Sequence, residues 1–248
     1  MSSTLVAVGP RLIVAMVLLT VVAAVVAAVA QLGHERQIAV AAARAAAQLA
    51  AVSLVIAAIV DSLPLTALFI AFMCAVAART SGRRITRSRS GWWAAVPVLT
   101  GSLPVVVGLL AGGLLPPKGL AVIPVTGILI GGAMTATSLA GRRALDELKT
   151  RRGEVEAALS IGFSDRDAAL EVCRPGAAQA LIPALDQTRT VGLVTLPGAF
   201  VGMLIGGATP VAAGAVQLFV LVALLAVETI AVALTTELVA RGRIRPSS

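Results

Sequence analysis

Apolar residues run in long blocks along the chain, separated by short polar intervals. Seven blocks approach or reach bilayer length: 10–30, 39–60, 64–78, 92–114, 120–140, 190–208 and 212–239. A crossing helix needs about 20 mostly apolar residues, so 64–78 is the marginal one and crosses only where the bilayer thins. Gly112-Gly113 and Pro116-Pro117 punctuate the fourth and fifth blocks. One interval, 142–187, is long and polar. Leu145, Leu148, Val155 and Leu159 recur there at helical spacing and give one apolar stripe, and Glu147 and Arg151 are placed to pair four residues apart. Gly162 interrupts that helix. Ser164, with Asp167 three residues on, signals the cap of a second helix, which Pro175 is expected to close. The pattern predicts an all-α, polytopic membrane protein of about seven transmembrane helices. It reads as a single transmembrane domain over 1–248, with 142–187 as a cytoplasmic loop of helix, glycine and helix.

Composition agrees with the pattern. Of 248 residues, 58% are hydrophobic and only 13% charged, more apolar surface than a soluble domain of this size needs. The formal net charge of +8 could suggest nucleic acid, but aromatics are 3% and tyrosine is absent, so no platform exists on which bases could stack. No nucleic-acid partner is expected; the basic residues meet the lipid bilayer instead. Arg79, Arg83, Arg84, Arg87 and Arg89 lie between the third and fourth blocks. Arg142, Arg143, Lys149, Arg151, Arg152, Arg166, Arg174 and Arg189 lie between the fifth and sixth, and Arg241, Arg243 and Arg245 follow the seventh. With seven crossings all three groups fall on one side, and Arg11 and Lys118 on the other. The protein is expected in the plasma or inner membrane, and the positive-inside bias places its N-terminus outside and its C-terminus in the cytoplasm. Arg11, the first apolar core and Ala28-Val29-Ala30 also have the look of a cleavable signal peptide. Cleavage would turn the arginine groups outward, which favours retention.

Chemistry-bearing residues are sparse. No loop of the form GxxxxGK[ST] occurs, and Gly131-Gly132 and Gly206-Gly207 sit in apolar blocks where they cannot cradle phosphate. The chain is expected to carry no cofactor and no catalytic site, and any ATP that drives it is bound by another chain. Cys74, Cys173 and the single histidine, His34, have no spacing suited to a disulfide or a metal clip. Ionisable groups inside the blocks are more pointed. Glu228 falls near the middle of the last, where an isolated charge must face a partner, water or a proton. Arg44 and Gln48 share one helical face in the second block, with Arg44 placed either to snorkel or to act in transport. Asp186 and Arg189 stand where the polar interval enters the sixth block. There Pro197-Gly198, Gly202 and Gly206 leave one face bare and kink the helix. Such a face serves either plain packing or a movable kink beside a substrate path.

The interval 142–187 also reads Glu156-Ala157-Ala158-x3-Gly162-x9-Val172-x-Arg174-Pro175. It resembles the EAA loop of ABC-transporter permeases, departing at Arg174, where leucine is usual. In that family a short rigid helix lodges in a groove on the ATPase, so Glu156, Ala157, Ala158 and Gly162 are the expected coupling contacts. Read without the resemblance, the same segment is an amphipathic helix on lipid headgroups. Further segments resemble the FetB-type permease family, the membrane subunits of metal-exporting ABC transporters with plant relatives linked to aluminium tolerance. They are Arg44-x3-Gln48-Leu49, Ile123-Pro124-x2-Gly127 with Gly131-x-Ala133-Met134, Ala180-Leu181-Ile182-Pro183-x2-Asp186, and Thr190-Val191-Gly192-Leu193-Val194-x-Leu196-Pro197-Gly198. Gly162-Phe163-Ser164 departs from the family's Gly-Ala-Thr, and Glu228 is not a family feature. The resemblance implies a homodimeric permease with two ABC ATPase subunits, exporting iron or a related metal. From their positions in the blocks, a translocation path or gate is expected near Arg44, Gln48, Asp186, Pro197, Gly198 and Glu228. Two other classes fit the residues alone: an ion-coupled secondary transporter using Glu228, and a scaffold that binds partners through 142–187.

Overall fold

The computed structural model describes residues 9–247, and residues 1–8 and 248 lie outside the described residues. Regular structure among the described residues is helical, save one isolated bridge between Val191 and Thr195. The chain forms two compact units, one ending at Ile59 and the other starting at Val60.

The first unit is a helical hairpin of α1 (Pro10–Val29) and α2 (Glu35–Ile59). Pro10 stands in the first turn of α1, where its missing N–H costs nothing. α1 is apolar all round and buries only Ala27; α2 buries nothing. A helix apolar on every face belongs in lipid or between other helices.

The second unit holds the rest. In order it has α3 (Leu63–Ile85), a 3-10 helix (Arg89–Ala94), α4 (Ala95–Ala111), α5 (Gly119–Thr150), α6 (Arg152–Ser160) and α7 (Asp165–Ala178). A second 3-10 turn (Gln179–Leu181), α8 (Ile182–Thr190), α9 (Gly198–Ile205) and α10 (Pro210–Ala240) follow. α5 and α10 form the core, with α3 and α4 packed on them. Small residues line the seam: Ala133, Ala136, Ala140, Val227 and Ala231 are buried. At Gly132 an added Cβ would lie 2.3 Å from Leu224 Cδ1, so any larger residue would have to push that side chain aside, and glycine favours the close approach of the two helices.

Six helices among the described residues are long and apolar enough to cross a membrane: α1, α2, α3, the continuous run Arg89–Ala111, α5 and α10. Two expectations change. The block 64–78 is part of the 23-residue α3, about 35 Å long and ample for a crossing. The block 190–208 is not one helix: it begins at the last residue of α8, turns at Gly192 (φ 81°), and resumes as the eight-residue α9. The turn residues Leu193 and Val194 are exposed.

The chain nevertheless returns through this broken segment. Gly132 of α5 meets Leu224 and Glu228 of α10, and Leu148, near the end of α5, packs with Ala240, at the end of α10. The two helices therefore run parallel, and 151–209 must carry the chain from one end of the bundle to the other. Among the described residues, six helices long and apolar enough to cross thus stand beside one interrupted segment, where seven crossings were expected.

α5 is also longer than its apolar block. Its 32 residues span about 48 Å, against a hydrocarbon core of about 30 Å. The polar end, from Arg142 onward, continues the same helix out of the apolar layer. The three arginine-rich segments gather at that end. Ser90 accepts a hydrogen bond from Arg245 N–H (3.0 Å), and Arg166 binds Glu237 (2.7 Å).

Candidate functional site

The polar interval folds as an elbow. Its apolar stripe is divided: Leu145 and Leu148 belong to α5, Val155 and Leu159 to α6, with the break at Arg151. Arg151 clamps that break. Its guanidinium reaches Glu147 (3.3 Å), both oxygens of Glu154 (2.7 and 2.5 Å) and the carbonyl of Val172 (3.2 Å). One side chain thus ties together α5, α6 and α7, and its hydrogen bonds hold the Glu154 carboxyl below the ordinary carboxylate range. After α6 the chain passes Gly162 at φ 96°, in the left-handed region that favours glycine. Ser164 then caps α7, its Oγ accepting from Asp167 N–H (3.2 Å) and donating to the Asp167 carboxylate (2.7 Å). The glycine break and the cap fall where the sequence places them, whereas the break at Arg151 divides a helix expected to run unbroken from Leu145 to Leu159.

Pro175 does not close the second helix. It lies inside α7, which continues to Ala178. Its missing N–H removes one helical bond, but Val172, Cys173, Gly176 and Ala177 are buried on either side of it and carry the helix through. α7 is held to the end of α10 by a two-pronged contact, Arg166 Nε and Nη2 on the Glu237 oxygens at 2.7 and 2.8 Å. Burial pushes the Cys173 thiol up to about 11, so it is an inert core residue.

α6 is different. None of its residues is buried. Glu156 and Ala157 are exposed and Ala158 is half-buried. Glu156 is bridged within its own helix to Arg152 (2.8 Å). Leu159, Ile161 and Phe163 are exposed at its far end, Ile161 by 77%. The four expected coupling residues therefore sit together on α6 and its glycine break.

A second feature lies between α5, α8 and α10. Glu228 opens on a cavity of about 340 Å³ also lined by Gly131, Gly132, Thr135, Pro183 and Gln187. The Glu228 side chain is buried, with 8% exposed, and has no hydrogen-bond or ion-pair partner among the described residues. Gly132 makes room for it, since a Cβ there would lie 2.8 Å from Glu228 Oε1. Asp186 is next to Gln187 but exposed, facing Arg189 at 3.8 Å. Pro197 and Gly198 form the N-cap and first residue of α9 and do not line this cavity. Arg44 and Gln48 lie in the first unit, exposed on α2. Of the expected path residues, only Glu228 lines the cavity. Thr135 and Gln187 were not expected there; a hydroxyl one turn beyond Gly131 and an amide beside Asp186 were the available signals. Among the described residues no group of three or more His, Cys, Asp or Glu is arranged to hold a metal ion.

Comparison with known proteins places this architecture. The model of the "Uncharacterised protein family (UPF0014)" matches residues 11–243. The rice "UPF0014 membrane protein STAR2" is 34% identical over 211 residues, covering 84% of this chain and 74% of the relative. The Escherichia coli "Probable iron export permease protein FetB" is 31% identical over 210 residues, covering 82% and 80%. The Arabidopsis "Protein ALUMINUM SENSITIVE 3" is 35% identical over 151 residues, covering 60% and 55%. No solved structure matches. The family match runs along nearly the whole chain, and this protein is a multi-pass membrane protein of the UPF0014 family.

Proposed function

We propose that this chain is the permease subunit of an ABC-type exporter, driven by ATP hydrolysis on a separate nucleotide-binding chain. The observation that carries this reading is α6. It bears the Glu156-Ala157-Ala158 motif, buries nothing, and ends in exposed Leu159, Ile161 and Phe163. Such a helix offers an ATPase groove small residues for close approach and an apolar tip for a pocket. Arg151 links α6 to α5, and α7 links onward to Glu237 of α10. A push on α6 is thereby delivered to both core helices as rigid-body movement.

The substrate is a metal cation, iron foremost, in line with the name of the Escherichia coli relative. The Glu228 cavity and the interrupted segment from α8 to α9 form part of the path, with Gln187 and Thr135 lining the same cavity as the carboxylate. Discontinuous helices at membrane depth are where transporters commonly build such paths. Asp186, next to Gln187, stands beside that path, and Pro197 with Gly198 forms a movable joint where α9 begins; Arg44 and Gln48 are separate transport candidates on α2. Two copies assemble with two ATPase subunits, the elbow 142–187 facing the cytoplasm and the N-terminus facing out, as the gathered arginines favour.

The test is Glu156→Lys. Co-purification with the ATPase chain is expected to fall at least about tenfold, with membrane insertion unchanged. Equal recovery of the ATPase with both forms would overturn the assigned contact. Proteoliposomes holding this chain alone supply the second arm. Cation flux driven by a proton gradient without ATPase would make the protein an ion-coupled carrier, with the buried Glu228 as its titrating group.

A further inference from the structure

Five arginines are spent on carboxylates: Arg151, Arg152, Arg166, Arg189 and Arg241 each hold one. Four others are not. Arg79 and Arg83, one turn apart on α3, and Arg87 and Arg89, beyond its end, surround a cleft of about 510 Å³ with Trp92 beside them. No residue lining the cleft is acidic. Among the described residues none of these four guanidinium groups has an ion-pair or side-chain hydrogen-bond partner.

The cleft is built into the fold. At its base Gly82 and Gly91 touch: a Cβ on Gly82 would lie 2.3 Å from the Gly91 carbonyl oxygen, and one on Gly91 2.9 Å from that of Gly82. This contact folds the 3-10 helix back on α3 and brings the two arginine pairs around one hollow. The tail holds the 3-10 helix in place. Ser90 exchanges hydrogen bonds with the backbone of Arg245 (3.0 and 3.3 Å), and the Arg243 guanidinium lies 5.2 Å over the Trp93 ring.

Basic residues in a last helical turn ordinarily answer the helix dipole. That dipole amounts to about half a negative charge, while the cleft gathers four positive ones. A concave site with such an excess concentrates anions, and guanidinium forks match phosphate oxygens in pairs. The cleft also lies at the end of a membrane-spanning helix, and Trp92 is exposed beside it, as expected at headgroup level.

We propose that the Arg79–Arg83–Arg87–Arg89 cleft is a binding site for a phosphate-bearing anion, carried either by an acidic phospholipid headgroup or by free phosphate. The site is independent of the coupling elbow and of the Glu228 cavity. Full-length protein in detergent is mixed with phosphatidylglycerol or phosphatidylcholine, and retained lipid is measured by native mass spectrometry. Inorganic phosphate is then added as competitor. Phosphatidylglycerol is expected to be retained preferentially. The pair Arg83→Gln and Arg87→Gln should lower retention at least about tenfold, as loss of two charge-assisted hydrogen bonds implies. The pair Arg84→Gln and Arg142→Gln removes the same charge outside the cleft and should leave retention unchanged. All four cleft arginines are exposed, so glutamine leaves the packing intact. Arg89→Gln alone, on the 3-10 helix, should move retention in the same direction. Displacement by inorganic phosphate identifies free phosphate as the occupant, and resistance to it identifies the headgroup. Equal loss in the two double variants, or equal retention of both lipids with no effect of phosphate, would overturn the proposal.

Discussion

α6 and α7 are neighbours of similar polarity, separated by one glycine break, yet they meet opposite fates. α7 turns Ala169, Val172, Cys173, Gly176 and Ala177 to one side and buries them all. α6 has Val155, Ala158 and Leu159 at comparable spacing and buries none. Small residues at the contact with α5 account for part of the difference, although α7 also buries Leu170. The stripe on α7 is mostly small, so its backbone closes on α5 until a Cβ at Gly176 would touch Glu147 Cγ at 2.6 Å. α6 carries a bulkier apolar tip, and its charges are satisfied within the elbow: Arg152 by Glu156, Glu154 by Arg151. Amphipathic periodicity alone does not say which helix docks. One helix is a fixed lever and the other a free handle.

The sharpest way to break this contrast is to add the same bulk to both helices. Ala177 is fully buried in α7, and Ala157 is exposed on α6. Ala177→Leu forces extra methyl groups into a packed seam and is expected to destabilise the chain by about 1–3 kcal/mol. Ala157→Leu should stay within about 0.5 kcal/mol. Thermal unfolding in detergent reads both. If Ala157→Leu costs as much as Ala177→Leu, α6 is packed rather than free, and its availability to an ATPase falls with it.

A smaller effect should separate the two arginine bridges. Arg166 spans from α7 to the end of α10 with two bonds to Glu237, whereas Arg152 reaches only Glu156 on its own helix. Arg166→Ala is expected to speed amide exchange severalfold across Asp165–Ala178, because it frees a tertiary anchor. Arg152→Ala should leave exchange in that helix unchanged. Equal exchange in both variants would mean that the small-residue seam alone holds α7, and that Arg166 passes no force to α10.

Local features were legible in the sequence. Gly162 as a break, Ser164 with Asp167 as a cap, and Glu147 with Arg151 as a pair all depend on residues within four positions of each other, and all appear as expected. Features set by tertiary packing were not. Pro175 looked like a terminator because proline costs a helical bond, and the buried face of α7 overrode that local cost. The block 190–208 looked like one crossing because composition registers hydrophobicity but not the turn at Gly192. The block 64–78 looked short because its helix runs on through Arg79, Arg83 and Arg84 into polar surroundings. At the candidate sites, the motif on α6 and the isolated Glu228 could be named from sequence. Gln187, Thr135 and the hollow over Gly82 and Gly91 required segments far apart in the chain to be brought together.

The gentlest probe concerns how firmly the handle is pinned at its base. Glu154 opens α6 and is held chiefly by hydrogen bonds from Arg151, which lower its folded pKa relative to the unfolded chain. A depressed carboxyl pKa contributes stability above the unfolded value and loses it as pH falls through that value towards the folded one. The Arg151 clamp on α6 should therefore loosen on acidification below the ordinary carboxylate range, and Glu154→Gln should flatten that dependence. The pair faces water, so the change in overall stability is expected to be the least of the three. The direct readout is the Glu154 carboxyl carbon shift followed by NMR against pH. A midpoint below about 4.3, the ordinary glutamate value, supports a pinned base. A midpoint at or above that value would leave α6 hinged freely at Arg151. A free hinge there could not carry a push from α6 into α5, and coupling would have to run through Gly162 and α7 alone.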